Sequence, residues 1–242
     1  MKIQFIGTGT IPDITNSASI LINDHILFDI PNGNLKAMIR QNINILKIDT
    51  VIISHTHADH CFDVPFLLWY KKNYQKEIEE LSTKIITDKI TQSTVENLID
   101  LSHFNSAKEA KKEFIDAKEV NNIEKICDDL EILNETMEHV SIKYANGYVI
   151  KEKNISIGLT GDTSFCQGVK NLASKVNYLI SDMTLEVGDD SHMGIDNILK
   201  LLKEFPDLKI IPIHMHDETR EKATKLNIDN LIILQDGDIL EI

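Results

Sequence analysis

The stretch Ser54-His55-Thr56-His57-Ala58-Asp59-His60 constrains this chain more than any other part of it. It follows Thr50-Val51-Ile52-Ile53, a compact β-branched run that reads as a strand buried on both faces. Four side chains able to bind metal therefore leave one strand end within six residues. His55 and His57, two residues apart, can point the same way, while Asp59 and His60 enter the following turn and can aim at a second point. Imidazoles and a carboxylate suit zinc, with manganese or iron also compatible. Two neighbouring metal positions are the economical reading. A single structural zinc is the alternative, made awkward by how tightly the four residues are spaced.

Two metals need more ligands than this motif holds, and candidates stand at other element boundaries. His139 precedes a strand beginning at Ser141, Asp162 sits in Thr160-Gly161-Asp162-Thr163 just after a strand, and His214 ends the strand Lys209 to Ile213. Polar residues that follow buried apolar runs are where α/β proteins assemble their sites. His216, two residues beyond His214, is the substitute on that strand.

Length and charge set the outer limits. The chain has 242 residues and a formal charge of 25 − 38 = −13, with 42% hydrophobic and 26% charged residues, an ordinary globular balance. No Pro/Gly/Ser-rich linker or composition shift marks a boundary, so one domain over 1–242 is expected, in which 62–135 reads as a helical, insertion-like segment that could form a lid or a dimer surface. The acidic balance disfavours non-specific nucleic-acid binding, which depends on Lys and Arg neutralising phosphates, and no DNA partner is expected. With only Arg40 and Arg220 present, an anion site must rely on Lys, backbone amides or metal. No apolar run approaches the roughly 18 residues a membrane span requires. Met1 to Ile6 reads as a strand and not as a signal core. Cys61, Cys127 and Cys166 lack metal-like or redox spacing, which fits a reducing, cytoplasmic setting.

The coarse element pattern is mixed. Strands are expected at 2–6, 18–23, 25–30 and 50–53, with Asn34 capping a short helix. Helical spacing runs through Leu67, Tyr70, Tyr74, Ile78 and Leu81, and again through Ile90, Val95, Leu98 and Leu101, with a strand from Lys84 to Thr87 between them. The charged region 105–124 is open between helix, lid and connection. Strands return from Val140, at 141–144, 148–151, 155–160, 178–181 and 209–213. An amphipathic helix through Ile195, Ile198, Leu199 and Leu202 stops at Phe205-Pro206, and Asp236-Gly237 predicts a terminal hairpin between 231–234 and 239–242. Interleaved strands and helices make this an α/β protein.

The residues resemble the metallo-β-lactamase superfamily over Met1 to about His214. Phe5-Ile6-Gly7-Thr8-Gly9-Thr10, Ile26-Leu27-Phe28-Asp29, the His55–His60 motif, His139, Gly161-Asp162-Thr163 and His214 occur in that superfamily's order. Gly147-Tyr148 and Asp190-Ser191-His192-Met193 resemble the ribonuclease Z and phosphodiesterase branch. The resemblance implies a four-layer αβ/βα sandwich, two mixed sheets with helices on the outer faces and a site along one edge. It also implies two divalent metal ions, with His55, His57 and His139 on one, Asp59, His60 and His214 on the other, and Asp162 bridging. Asp29 matches the aspartate beneath the site that anchors the ligand loop, and His192 matches the histidine that assists the departing group. Relatives in this branch often dimerise, which makes a homodimer a candidate state.

The expected activity is dinuclear metal-dependent hydrolysis, through a metal-bridging hydroxide, of a phosphodiester in a small or cyclic nucleotide-like substrate. Asp59 would orient the hydroxide and His192 would protonate the leaving oxygen. Only 22 residues separate His139 from Asp162, which leaves no room for the long transfer-RNA-gripping arm of bacterial ribonuclease Z. A large folded RNA is therefore not the expected partner, and transfer-RNA 3'-end cleavage ranks lower. The same site could attack a lactone, thioester or other carbonyl substrate. A redox role fits less well, because flavin-linked di-iron members usually carry a carboxylate where His57 stands. A metal-binding scaffold without turnover is the non-enzymatic alternative.

Overall fold

The computed structural model describes residues 1–76, 81–122 and 130–242. The first half of the chain runs β1 (Lys2–Gly7), β2 (Ser19–Ile22), β3 (Ile26–Phe28), α1 (Asn34–Arg40), β4 (Thr50–Ile52), α2 (Ala58–Cys61), α3 (Val64–Tyr74), β5 (Thr83–Thr87), α4 (Lys89–Leu101), α5 (Asn105–Glu109) and β6 (Lys112–Asp116). The second half runs β7 (Glu131–His139), β8 (Ile142–Glu152), β9 (Ile155–Leu159), α6 (Gln167–Ala173), β10 (Tyr178–Asp182), α7 (Ile195–Glu204), β11 (Lys209–Ile213), α8 (Asp217–Thr224) and β12 (Ile239–Glu241). The strands form a seven-stranded sheet, β12-β1-β2-β3-β4-β5-β6, and a five-stranded sheet, β11-β10-β9-β8-β7.

Both sheets are mixed, and the period-two alternation of strand side chains builds three apolar layers. Ile3, Phe5, Ile20, Ile22 and Phe28 from the first sheet meet Tyr148, Ile150, Leu159 and Ile211 from the second in a central layer. Residues of opposite parity, Ile6, Leu21, Leu27 and Val51, face the outer side, where Met38, Leu67, Leu68 and Val95 of α1, α3 and α4 cover them. Val149, Leu179 and Ile210 face the other outer side under Val169 and Leu172 of α6 and Ile198 and Leu201 of α7. Helices therefore bracket two stacked sheets, the expected four-layer αβ/βα arrangement. No helix of the described residues is long and apolar enough to cross a membrane.

Several local expectations are corrected. The terminal hairpin does not form: β12 pairs antiparallel with β1 at the sheet edge, while Leu231 bridges to Ile210 in the second sheet. Asp236 instead accepts hydrogen bonds from the backbone and side chains of Thr8 and Asn16, fastening the loop after β1. Asn34 is not the cap of α1; Gly33 is, at φ +82°, and the Asn34 amide donates to Ser19 Oγ. Strand structure resumes at Glu131, not at Val140, and residues 142–152 form one long strand paired with β7 along most of its length. The 62–135 stretch holds more than helices, since β5 and β6 extend the first sheet in parallel with β4. The charged region after Asn105 yields α5 and β6. Ile78, Cys127 and residues 123–129 lie outside the described residues.

Candidate metal centre

Polar residues at the strand ends converge on one edge of the sandwich. β3 ends at Phe28, and Asp29 follows at φ +54°, a left-handed conformation sparsely populated by residues other than glycine. Its carboxylate accepts the Ser54 N–H at 2.7 Å and the Ser54 hydroxyl at 2.8 Å, and meets His60 Nδ1 at 2.8 Å. Ser54 Oγ also lies 2.9 Å from His55 Nδ1. One buried carboxylate thus fixes the start of the motif loop and the orientation of a ring from α2. Gly161, at φ +61°, lets the loop after β9 approach closely, because a Cβ there would lie 2.6 Å from the Ser54 Cβ.

The second sheet supplies the opposite half. His139 ends β7, Asp162 follows β9, and His214 follows β11 at φ +56°. The Thr184 hydroxyl oxygen lies 2.8 Å from His214 Nδ1 and 2.7 Å from the His214 carbonyl oxygen. Asp182, at the end of β10 and fully buried, accepts the Thr184 N–H and hydroxyl on one oxygen. Its other oxygen accepts the Thr163 N–H and lies 2.9 Å from His192 Nδ1.

All seven expected ligands are brought together. Potential ligand atoms of His55, His57, His139 and Asp162 lie within 4.8 Å of one another, as do those of Asp59, His60 and His214. A third set joins Asp162, His192 and His214. Asp162 Oδ2 stands between the sets, 3.8 Å from His55 Nε2, 3.2 Å from His60 Nε2 and 3.5 Å from His214 Nε2. Asp59 Oδ2 reaches His214 Nε2 at 3.3 Å and His60 Nε2 at 3.7 Å.

The remaining histidines, cysteines and nearby aromatic side chains fall elsewhere. His216 joins none of these sets and pairs with Asp13. His25 pairs with Asp49, and His103 is exposed. Cys61 and Cys166 are free and buried, and burial pushes the Cys61 thiol up to about 12. Trp69 and Tyr70 pack partly buried against the outer helical layer, whereas Phe66 is exposed. Sequence reasoning missed Asp182 and Thr184. The available signal was the polar end of the strand Tyr178 to Asp182, the same feature that marks Asp162 and His214.

Residues 1–236 match the family described as anti-Pycsar protein Apyc1. The chain belongs to that family. This Apyc1-family chain is also 24% identical to ribonuclease Z of Metallosphaera sedula over 267 residues, covering 93% of this chain and 92% of the relative. It is 25% identical to the UPF0173 metal-dependent hydrolase SH1218 of Staphylococcus haemolyticus over 215 residues, covering 88% and 85% of the two chains. The metallo-beta-lactamase fold protein YhfI of Bacillus subtilis superposes with a TM-score of 0.78 at 17% identity, over 99% of this chain and 98% of that one. The fold is that of the metallo-β-lactamases, and the chain is a metal-dependent hydrolase of that superfamily.

The donor set itself fits metal. Among the described residues, His60 Nε2 and His139 Nδ1 are buried without a well-aligned hydrogen bond, an arrangement that is unfavourable for bare imidazoles and natural for ligands. Burial, reinforced by neighbouring imidazoles, pushes His55 well below the ordinary histidine range and lowers His57 and His139. These rings are therefore neutral, as ligation requires. Burial opposes charge on Asp162 as well, but His214 and His60 outweigh it and hold the carboxyl well below the usual range. Asp59 is lowered in the same way, chiefly by the His214 hydrogen bond overcoming burial. Burial also disfavours charge on His60, yet Asp162 and Asp29 raise it well above the ordinary value. A cation among these carboxylates would take over that proton's role. The hydrogen bonds that ring Nδ1 atoms make with the Asp29 carboxylate and the Thr184 hydroxyl are of the kind that orients ligands.

Proposed function

We propose that this chain hydrolyses a phosphodiester in a small or cyclic nucleotide-like substrate at a centre of two divalent ions, zinc before manganese or iron. His55, His57 and His139 would hold one, Asp59, His60 and His214 the other, with Asp162 shared. The observation that carries the two-ion reading is the position of Asp162 Oδ2, faced by ring nitrogens from both sets at 3.2 to 3.8 Å. When bound, two such ions lower the pKa of a water toward neutrality and neutralise charge on phosphoryl oxygens.

The chain's own groups supply positioning and proton transfer. Asp59, held ionised at the centre, accepts a hydrogen bond from the attacking water and aims its lone pair. His192 sits at the rim, its side chain 22% exposed and its ring stacked 5.3 Å from that of His214. Burial disfavours its charged form, but the Asp182 hydrogen bond prevails and pushes it up to about 9. The ring is therefore protonated at neutral pH. With Nδ1 turned to Asp182, Nε2 is left to donate a proton to the leaving oxygen.

A protonated acid at the rim suits an alkoxide leaving group, and the ribonuclease Z relative is named for phosphodiester chemistry. The 22-residue interval between His139 and Asp162 and the charge of −13 favour a small substrate over folded RNA. The test is hydrolysis of bis(p-nitrophenyl) phosphate and of cyclic mononucleotides by protein reconstituted with zinc or manganese. Turnover of a phosphodiester supports the reading. No such turnover with either metal, together with brisk hydrolysis of a lactone or thioester, overturns it.

A further inference from the structure

A neutral imidazole can offer a lone pair from one nitrogen only while its proton sits on the other. For three of the expected ligands that other nitrogen is accounted for. His55 Nδ1 lies 2.9 Å from Ser54 Oγ, His60 Nδ1 lies 2.8 Å from Asp29, and His214 Nδ1 lies 2.8 Å from the Thr184 hydroxyl. His57 is arranged the other way round. Its Nδ1 lies 2.9 Å from His55 Nε2, so these two atoms converge within the first ligand set and Nε2 is left to carry the proton. Among the described residues, the group that meets His57 Nε2 is the hydroxyl of Ser141, 3.4 Å away. The same oxygen lies 3.4 Å from His139 Nε2.

The backbone explains how a serine comes to stand there. Val140 and Ser141 form the turn between β7, which ends at His139, and β8, which begins at Ile142. The pairing of these strands shifts register between Met137 and His139 before His139 meets Ile142, and such an irregularity re-aims nearby side chains. Val140 donates its backbone N–H to the Asp190 carbonyl at 3.2 Å, which ties the turn to the loop that carries His192. Ser141 is exposed, yet its backbone is held from both sides. A partner of this kind matters most to His57. His55, His60, His139 and His214 are all buried, so packing restrains their rings, whereas His57 is only half-buried.

We propose that Ser141 is a positioning residue of the metal centre: its hydroxyl oxygen accepts the His57 Nε2–H, which keeps the proton off Nδ1 and holds the ring toward the ion shared with His55 and His139. This role rests on the two-ion reading of the centre and on no particular substrate, so its test uses zinc alone. The full chain loaded with zinc is challenged with rising concentrations of a chromophoric chelator, and each equivalent released is followed by absorbance. In Ser141→Ala one of the two equivalents should be released about tenfold more readily, the low end of the range for partners of ligating residues, with the other unchanged. Ser141→Thr keeps the hydroxyl and should restore the wild-type pattern. His57→Ala identifies the affected step, and Thr184→Val, at His214, should move the other one. Wild-type release or tighter binding by Ser141→Ala, equal weakening of both steps, or no rescue by threonine would overturn the assignment. Release of a single equivalent from the wild type would instead count against the two-ion reading. The role of Ser141 then stands if Ser141→Ala releases that equivalent about tenfold more readily, and falls if it releases it as the wild type does.

Discussion

Two carboxylate–imidazole pairs lie under the centre, one from each sheet. Asp29 grips His60 Nδ1 at 2.8 Å and Asp182 grips His192 Nδ1 at 2.9 Å. Both carboxylates are buried beside strand ends and both collect backbone N–H groups, from Ser54 in one case and from Thr163 and Thr184 in the other. The difference is access. The His60 side chain is 1% exposed and its free nitrogen faces Asp162 and Asp59, whereas that of His192 is 22% exposed at the rim. On the proposed reading similar pairings serve different ends: the enclosed ring would only hold, while the open one would exchange a proton with a ligand.

Removing the shared carboxylate should have the largest effect. Asp162→Ala is expected to abolish turnover and to lower metal content by elemental analysis, because the facing imidazoles lose their common partner. Retention of both would break the symmetry argued between the two ligand sets. Next comes His192→Ala, expected to slow turnover by about 10²–10⁴-fold, the range for general acid–base catalysis, with metal content unchanged. A proton donor acts below its pKa, so wild-type kcat should fall as pH rises through about 9, and this alkaline limb should be absent from the variant. Asp182→Asn should shift the same limb to lower pH, since the carboxylate is what raises His192. A limb that stays in place in both variants would show that another group titrates there.

Asp29→Asn sharpens the contrast. It should weaken metal binding by about 10–100-fold, as for other partners of ligating residues, without moving the alkaline limb. The smallest effect expected is for Thr184→Val, about tenfold in metal affinity, because it removes a single hydroxyl from His214 Nδ1 and leaves the backbone in place. Equilibrium dialysis against zinc measures both.

The ligand motif was legible because its chemistry is contiguous: His55 to His60 are consecutive and follow an apolar strand. His139, Asp162 and His214 could be proposed from their strand ends, with the superfamily resemblance supplying the order. Asp182 and Thr184 could not, since their roles exist only once β10 lies between β9 and β11 and turns them toward His192 and His214. The failed hairpin has a similar origin. Asp236-Gly237 is a sound local turn signal, but the edge of β1 offered β12 a partner more than 200 residues away, and Asp236 was taken up by Thr8 and Asn16. β7 is not legible locally, because Glu131-Ile-Leu-Asn-Glu-Thr-Met-Glu-His139 alternates too weakly to mark a strand before its long partner β8 is in place.

The most direct test of the central claim is the number of transition-metal ions bound per chain after reconstitution with zinc and removal of excess, read by elemental analysis. About two per wild-type chain are expected, as in other two-metal sites. Fewer than about one per chain, from folded protein, would contradict it.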